Sequence, residues 1–160
     1  MHIFFVCLAA ITTLCIAASL FFITIDTYLP YHTYFGLMAA VSCLLTHCWV
    51  FFYFIGTGEG IREGILDHGL DHKAIKTTKR FKGITFPLAF FSMVFIIVGS
   101  VLGAAARVGK VSTTTHYSAL TFAILFNLFT FRMEFQTIQK NQALMQKLND
   151  EIEGKNEGRV

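Results

Sequence analysis

Histidines embedded in apolar sequence are the residues of this chain whose type and spacing could support chemistry. His47 lies in the stretch LLTHCWVFF, between Cys43 and Cys48. An ionisable group in such a segment is a candidate for function. Three roles are open to it: a haem or metal ligand, a proton-binding site, or a packed residue hydrogen-bonded to a neighbouring helix, for example to Asn127. The sequence favours the packed role, because neutral histidine tolerates burial better than a charge does.

A haem b bound between helices would need two axial ligands at the same depth in the membrane. His47 lies well inside its predicted span, whereas His116 lies near the start of another, a mismatch on the order of 12 Å. His47 and His116 therefore cannot ligate one haem, and His47 would need a ligand from a second copy or another subunit. His32 and His116 are matched in depth, and this pair could bind a haem or a metal.

A second group of candidate ligands lies in the polar stretch ILDHGLDHK, residues 65–73. His68 and His72 are four residues apart, as are Asp67 and Asp71. On one continuous helix, the two imidazoles and the adjacent carboxylates could chelate a divalent transition metal. The alternative is a solvated amphipathic segment, which the sequence favours because nearby glycines weaken the required helix.

The elements that carry these histidines are predicted to be membrane-spanning helices. Of the 160 residues, 54% are hydrophobic and 14% are charged, against about a quarter charged in soluble domains. Four stretches lack Asp, Glu, Lys and Arg, and each reaches the ~20 residues that a span requires. They predict an all-α, integral membrane four-helix bundle of two helical hairpins, in a domain of residues 1–139. The spans are expected at about 3–25, 34–55, 84–106 and 113–135.

The basic residues predict the orientation of the spans. Residues 56–83 contain six of the thirteen Lys and Arg, and the chain after residue 131 contains five. By the positive-inside rule, the amphipathic segment 56–83 and both termini are cytoplasmic, in an inner or plasma membrane. The net charge of +3 is therefore a signal of sidedness and does not indicate nucleic-acid binding.

Several features indicate packing partners. Gly99 and Gly103 form a GxxxG pair that permits close helix approach, within the bundle or across a dimer. The fourth helix is expected to extend past the membrane into the polar tail, 140–160, with an apolar stripe that includes Ile138, Met145 and Ile152. Glu134, at the inner end of the fourth span, is expected to face the basic segment 56–83. The expected partners are lipid and other membrane subunits, or a second copy of the chain.

The sequence contains no nucleophile-and-base set, phosphate-binding loop or nucleic-acid module. It therefore favours a non-catalytic membrane subunit or assembly component of a larger complex. The alternatives are a b-type haem protein for electron transfer or a quinone site, using His47 with His116 or His32, and a divalent-metal-binding protein using the segment 56–83.

Overall fold

The computed structural model describes residues 2–24 and 29–157, and within them the chain forms four α-helices and no β-strand. The helices are α1 His2–Ile23, α2 Leu29–His68, α3 Lys73–Arg107 and α4 Thr113–Glu157. The prediction of an all-α fold is confirmed. Residue 25, at the predicted end of the first span, and residues 158–160 of the predicted tail lie outside the described residues.

All four helices of the described chain are long and apolar enough to cross a membrane. The 22 residues of α1 extend over about 33 Å at ~1.5 Å per residue, which matches ~30 Å of hydrocarbon. Large apolar side chains cover the outside of the bundle: Leu14 is 68% exposed and Phe52 is 70% exposed. Such a surface suits lipid better than water. The predicted cytoplasmic location of both termini stays a prediction.

The helices pack as two hairpins. α1 packs along α2 and α3 packs along α4, while α2 contacts α3 and α1 contacts α4. The connections within the two hairpins therefore lie at one end of the bundle, which we call the loop end. The turn between α2 and α3 lies at the opposite end, the tail end, together with the last turns of α4.

Glycines with positive φ mark the ends of α2 and α3. Gly69 follows the last residue of α2 with φ of +59°, and Gly109 follows α3 with φ of +71°. Both values lie in the left-handed region that glycine adopts without steric cost. After α3, the amide of Lys110 donates to the carbonyl of Ala105 at 2.9 Å, which satisfies one of the last carbonyls of the helix.

The segment 56–83 is formed by the continuations of α2 and α3 and by the turn between them. With the C-terminal part of α4, it builds a three-helix extension that we call the stalk, residues 56–83 and 139–157. A hydrophobic cluster fills the stalk. Its buried members are Ile61, Ile65, Leu70 and Leu148, and its partly buried members are Ala74, Ile75, Leu144, Met145 and Ile152. The predicted apolar stripe of α4 is thus covered within the same chain.

Two further clusters form the core of the bundle outside the stalk. Towards the tail end, Phe5 of α1 packs with four residues of α2 and α4, namely Val50, Phe54, Phe131 and Ile138. Towards the loop end, the core consists of small side chains around one isoleucine: Ala40, Cys43, Ile96 and Ala123.

The GxxxG pair of α3 packs against α4 of the same chain, which is the intramolecular alternative of the two that the sequence allows. A Cβ atom at Gly99 would lie 3.7 Å from the Cα atom of Leu120. One at Gly103 would lie 2.8 Å from Cε1 of His116, closer than van der Waals contact allows. The missing side chains therefore admit α4 at Gly99 and the imidazole of His116 at Gly103.

Candidate functional site

A buried ion-pair geometry joins the two hairpins in the middle of the bundle. His47 Nδ1 of α2 lies 2.7 Å from Glu134 Oε1 of α4, and both side chains are 0% exposed. The ring of Phe131 covers the imidazole at a centroid distance of 5.3 Å. The expectation that Glu134 faces the basic segment 56–83 is wrong, because this carboxylate points into the core.

Asn127 lies on the other side of the imidazole. Its Nδ2 atom is 3.3 Å from His47 Nε2, 3.0 Å from Ser92 Oγ and 2.7 Å from Cys43 Sγ. We call these five residues, Cys43, His47, Ser92, Asn127 and Glu134, the core polar cluster. Asn127, the neighbour that the sequence suggested for His47, is therefore in contact with its ring.

The amide of Asn127 has two orientations with different consequences for His47. In one, Nδ2 faces three acceptors with only two hydrogens, and Oδ1 has no partner among the described residues. In the other, Oδ1 accepts from the Ser92 hydroxyl, the Cys43 thiol and a proton on His47 Nε2. The first orientation goes with a ring protonated on Nδ1 only. The second goes with a proton on Nε2, either in an imidazolium or in a neutral ring whose Nδ1 accepts from a protonated Glu134. The cluster can therefore accommodate both protonation states of His47.

Because both ring nitrogens of His47 are hydrogen-bonded, coordination of a haem or metal would break one of these contacts.

The burial of Glu134 has a signal in the sequence, although the neighbouring charges obscured it. Asn127, Glu134 and Asn141 are each seven residues apart, which places them on one face of α4. That face is the buried one, since all three are 0% exposed.

A cavity of about 580 Å³ lies between the hairpins near the loop end. All four helices line it, and most of its lining is apolar. The polar side chains of its wall are Ser19, His32, Thr33, Ser100, Arg107, Thr113, His116 and Tyr117. His32 and His116, which the depth argument paired, therefore face the same cavity from α2 and α4, whereas His47 is not among its lining residues.

The imidazole of His32 is held by α1. Its Nδ1 atom lies 2.9 Å from the carbonyl oxygen of Ser19 and 3.0 Å from Ser19 Oγ. The Ser19 hydroxyl in turn donates to the carbonyl of His32 at 3.0 Å, so Oγ is free to accept from the ring. A carbonyl oxygen can only accept, and the proton of a neutral His32 is therefore on Nδ1. The lone pair is then on Nε2.

The imidazole of His116 is held in the same way by α3. Its Nδ1 atom lies 3.1 Å from the carbonyl oxygen of Gly99, and its ring rests on Gly103. The residue is buried, with 8% exposure. The Gly99 carbonyl fixes the proton on Nδ1 and leaves the lone pair on Nε2. A histidine whose Nδ1 donates to a backbone carbonyl has the tautomer and orientation of a metal-ligating histidine.

The proposed metal ligands of residues 67–72 do not share a helix. α2 ends at His68 and α3 begins at Lys73, with the positive-φ Gly69 between the two histidines. His68 Nδ1 is 3.1 Å from the carbonyl oxygen of Gly64, and Asp71 accepts from the amide of Lys73 at 3.0 Å. In the described part of the chain, no three His, Cys, Asp or Glu side chains come together as a metal site. The continuous helix on which this interpretation depended is absent at residues 69–72.

Comparison of the chain with protein-family models, curated proteins and solved structures finds no match in any of the three. We therefore infer the function from the core polar cluster and the loop-end cavity.

Proposed function

We propose that this chain is a membrane-embedded b-type haem protein, in which the loop-end cavity would hold the haem and His32 and His116 would ligate its iron. The observation that carries the proposal is that these two histidines share one cavity and the same tautomer. They line one cavity from different hairpins, and each is held through Nδ1 by a backbone carbonyl, so that each keeps a lone pair on Nε2.

The number of ligands favours haem over a lone metal ion. A structural zinc ion takes four protein ligands and a catalytic zinc ion takes three. Around the described cavity only two imidazoles are present. A haem supplies four nitrogen ligands of its own and requires no more than two from the protein. Two histidines are therefore a complete set for haem and an incomplete one for a bare divalent cation.

The shape and polarity of the cavity also suit a large apolar cofactor. A volume of about 580 Å³ falls within the ~300–1,000 Å³ of typical cofactor sites. Small residues, among them Gly36, Ala39 and Ala40, create this space between the helices. Arg107 lies at the exposed mouth, where its guanidinium donates to Thr33 Oγ1 at 3.1 Å, and it would hold a haem propionate there.

A haem with two imidazole ligands supplies one-electron transfer. The protein contributes by fixing the orientation of both imidazole rings before the cofactor binds. The carbonyls of Ser19 and Gly99 do this, and the partial negative charge of each carbonyl makes its imidazole a stronger electron donor.

The scaffold interpretation loses two of the features that favoured it. The apolar stripe of α4 is covered by the stalk, and the GxxxG pair is covered by α4. Neither surface therefore requires a partner. A role as a subunit of a larger complex stays a prediction that is compatible with a haem protein.

A visible spectrum of the purified protein tests the proposal. We expect a reduced-minus-oxidised b-type spectrum and about one haem per chain, either as purified or after titration with haemin. His32→Ala and His116→Ala should each abolish the six-coordinate spectrum, whereas His72→Ala, an exposed histidine in the stalk turn, should leave it unchanged. Failure of the native protein to bind haem under both conditions would refute the proposal. So would a spectrum that survives both cavity substitutions.

A further inference from the structure

Buried polar residues repeat every seven residues along α3 and α4. On α3 they are Thr78, Thr85 and Ser92, and the same spacing continues to the buried Gly99. On α4 they are Asn141, Glu134 and Asn127, in antiparallel order, and the spacing continues to the partly buried Leu120. A seven-residue spacing keeps side chains on one face of a helix, so the two series face each other as layers.

Two contacts fix the register of these layers. Ser92 Oγ lies 3.0 Å from Asn127 Nδ2, and a Cβ at Gly99 would lie 3.7 Å from the Cα atom of Leu120. Counting seven residues from Ser92 and from Asn127 places Thr85 in the layer of Glu134. Counting seven more places Thr78 in the layer of Asn141.

These layers contain buried polar atoms that no described protein group satisfies. The atoms are Thr78 Oγ1, Thr85 Oγ1, Asn127 Oδ1, Glu134 Oε2 and Asn141 Oδ1. Each layer from Asn141 to Asn127 contains at least one of them. Buried polar atoms in native proteins are nearly always paired, with protein or with internal water. Their alignment along one seam therefore indicates a row of water sites.

Thr78 and Thr85 of α3 differ from other threonines of the bundle. Thr12, Thr46 and Thr130 each donate to the backbone carbonyl four residues earlier, at 3.0, 2.7 and 2.9 Å. Thr78 and Thr85 have no such bond within the described chain, although the same acceptors exist in α3. Their hydroxyls are thus free to bond water.

Within the described residues, the row reaches the surface towards the tail end. Asn141 Nδ2 lies 3.2 Å from the Tyr53 hydroxyl and 3.0 Å from Thr57 Oγ1, and both of these residues are partly exposed. Beyond Asn127, in the other direction, the small apolar cluster of Ala40, Cys43, Ile96 and Ala123 closes the core. This cluster separates the row from the loop-end cavity.

We propose that the seam between α3 and α4 is a hydrated half-channel that opens at the tail end and delivers protons to the His47–Glu134 pair. A proton enters from bulk water, passes along the waters at Thr78 and Thr85, and is accepted by the unpaired Glu134 Oε2. The proton stays on Glu134 Oε2, so the carboxylate becomes a neutral carboxyl group whose Oε1 still accepts from His47 Nδ1, and the pair gains one positive charge. This inference does not depend on haem binding.

Few other titratable groups act on the pair. The titratable side chain beside the pair is Cys43 of α2, and among the described residues Glu134 is the only buried carboxyl group. α1 presents Phe5 at this level and α3 presents Thr85 and Ser92, none of which titrates. The infrared signal of a buried protonated carboxyl group can therefore be assigned to one residue.

Infrared difference spectroscopy of the detergent-purified protein, with acid-induced spectra recorded in H₂O and in D₂O, tests the half-channel. We expect a carboxylic C=O band that is absent from Glu134→Gln and that shifts rapidly when D₂O is introduced. Thr85→Val should slow this shift by roughly tenfold, the factor expected for the loss of one hydrogen-bonded step. Thr130→Val is the matched control, because its hydroxyl is already bonded within α4, and it should exchange as the native protein does.

Thr78→Val provides a second block of the same path if Thr85→Val fails to fold. Exchange at the native rate in the folded threonine variants of α3, or equal slowing by Thr130→Val, would overturn the proposal. The absence of an exchangeable Glu134 band from the native protein would also overturn it. A native proton leak in pyranine-loaded liposomes would show that the seam is open at both ends, and would contradict closure by the small apolar cluster.

Discussion

His47 Nδ1 and Glu134 Oε1 lie 2.7 Å apart although 87 residues separate them in the chain. The contact joins the first hairpin to the second at a point where both side chains are fully buried. A charge or polar group in that position is tolerated only with its partner. The two residues therefore fix the relative position of the hairpins, and either one without its partner would destabilise the fold.

The stability losses of the two single substitutions in this pair should not add up in the double variant. We expect His47→Leu and Glu134→Leu each to lower the free energy of unfolding by about 3–5 kcal/mol, because each leaves the other group buried and unpaired. The double variant should be more stable than either single variant. Thermal unfolding of the detergent-solubilised proteins measures this, and additive losses would exclude the coupling.

Gly103 should be intolerant of any side chain. Gly103→Ala places a methyl group 2.8 Å from Cε1 of His116. The ring must therefore move, and it loses its hydrogen bond to the Gly99 carbonyl. We expect loss of haem binding together with a lower melting temperature. Gly83→Ala, in the same helix with open space around its Cβ position, should instead stabilise the protein by roughly 0.5–1 kcal/mol.

Arg107 should affect the haem without ligating it. Arg107→Gln removes a positive charge from the cavity mouth. A reduced haem carries one more negative charge than an oxidised one, so it loses more stabilisation, and a propionate is bound less well. We expect a lower reduction potential and weaker haem retention, with the two-imidazole spectrum preserved. A potentiometric titration measures the first effect, and Lys110→Gln, an exposed cation that does not line the cavity, is the control.

The stalk should depend on its hydrophobic cluster. Ile65 is 0% exposed and its neighbour Leu66 is 56% exposed. Ile65→Ala should cost about 2–5 kcal/mol locally, and should open the helical backbone at the lysines of 73–82 to trypsin, whereas Leu66→Ala should leave cleavage near the native rate. Limited proteolysis followed by mass spectrometry distinguishes the two. Equal cleavage of both variants would show that the stalk does not fold around this cluster.

The helices could be predicted from the sequence because the uncharged runs are long. The stalk could not, since the glycines at 56, 58, 60 and 64 lower helix propensity. Packing of Ile61 and Ile65 against α4 outweighs that preference, because tertiary burial dominates helix stability. Propensity therefore decided only the position of the turn, at Gly69.

The pairing of His32 with His116 followed from depth alone, since residues at equal depth on neighbouring spans can meet. The cavity between them was not predictable, because it depends on which small residues of four helices face one another. Glu134 was misplaced for a related reason. A carboxylate near Arg132 resembles an interfacial charge, and only its seven-residue relation to Asn127 indicates that it points inward.

Each site takes its residues from both hairpins. His32 and His47 belong to the first, whereas Glu134, Asn127 and His116 belong to the second. During biogenesis, neither half alone contains both histidines of the loop-end cavity, and neither satisfies its own buried polar groups. Association of the hairpins thus becomes a checkpoint in assembly. A half-assembled chain exposes polar side chains to lipid, and a quality-control protease could recognise these side chains.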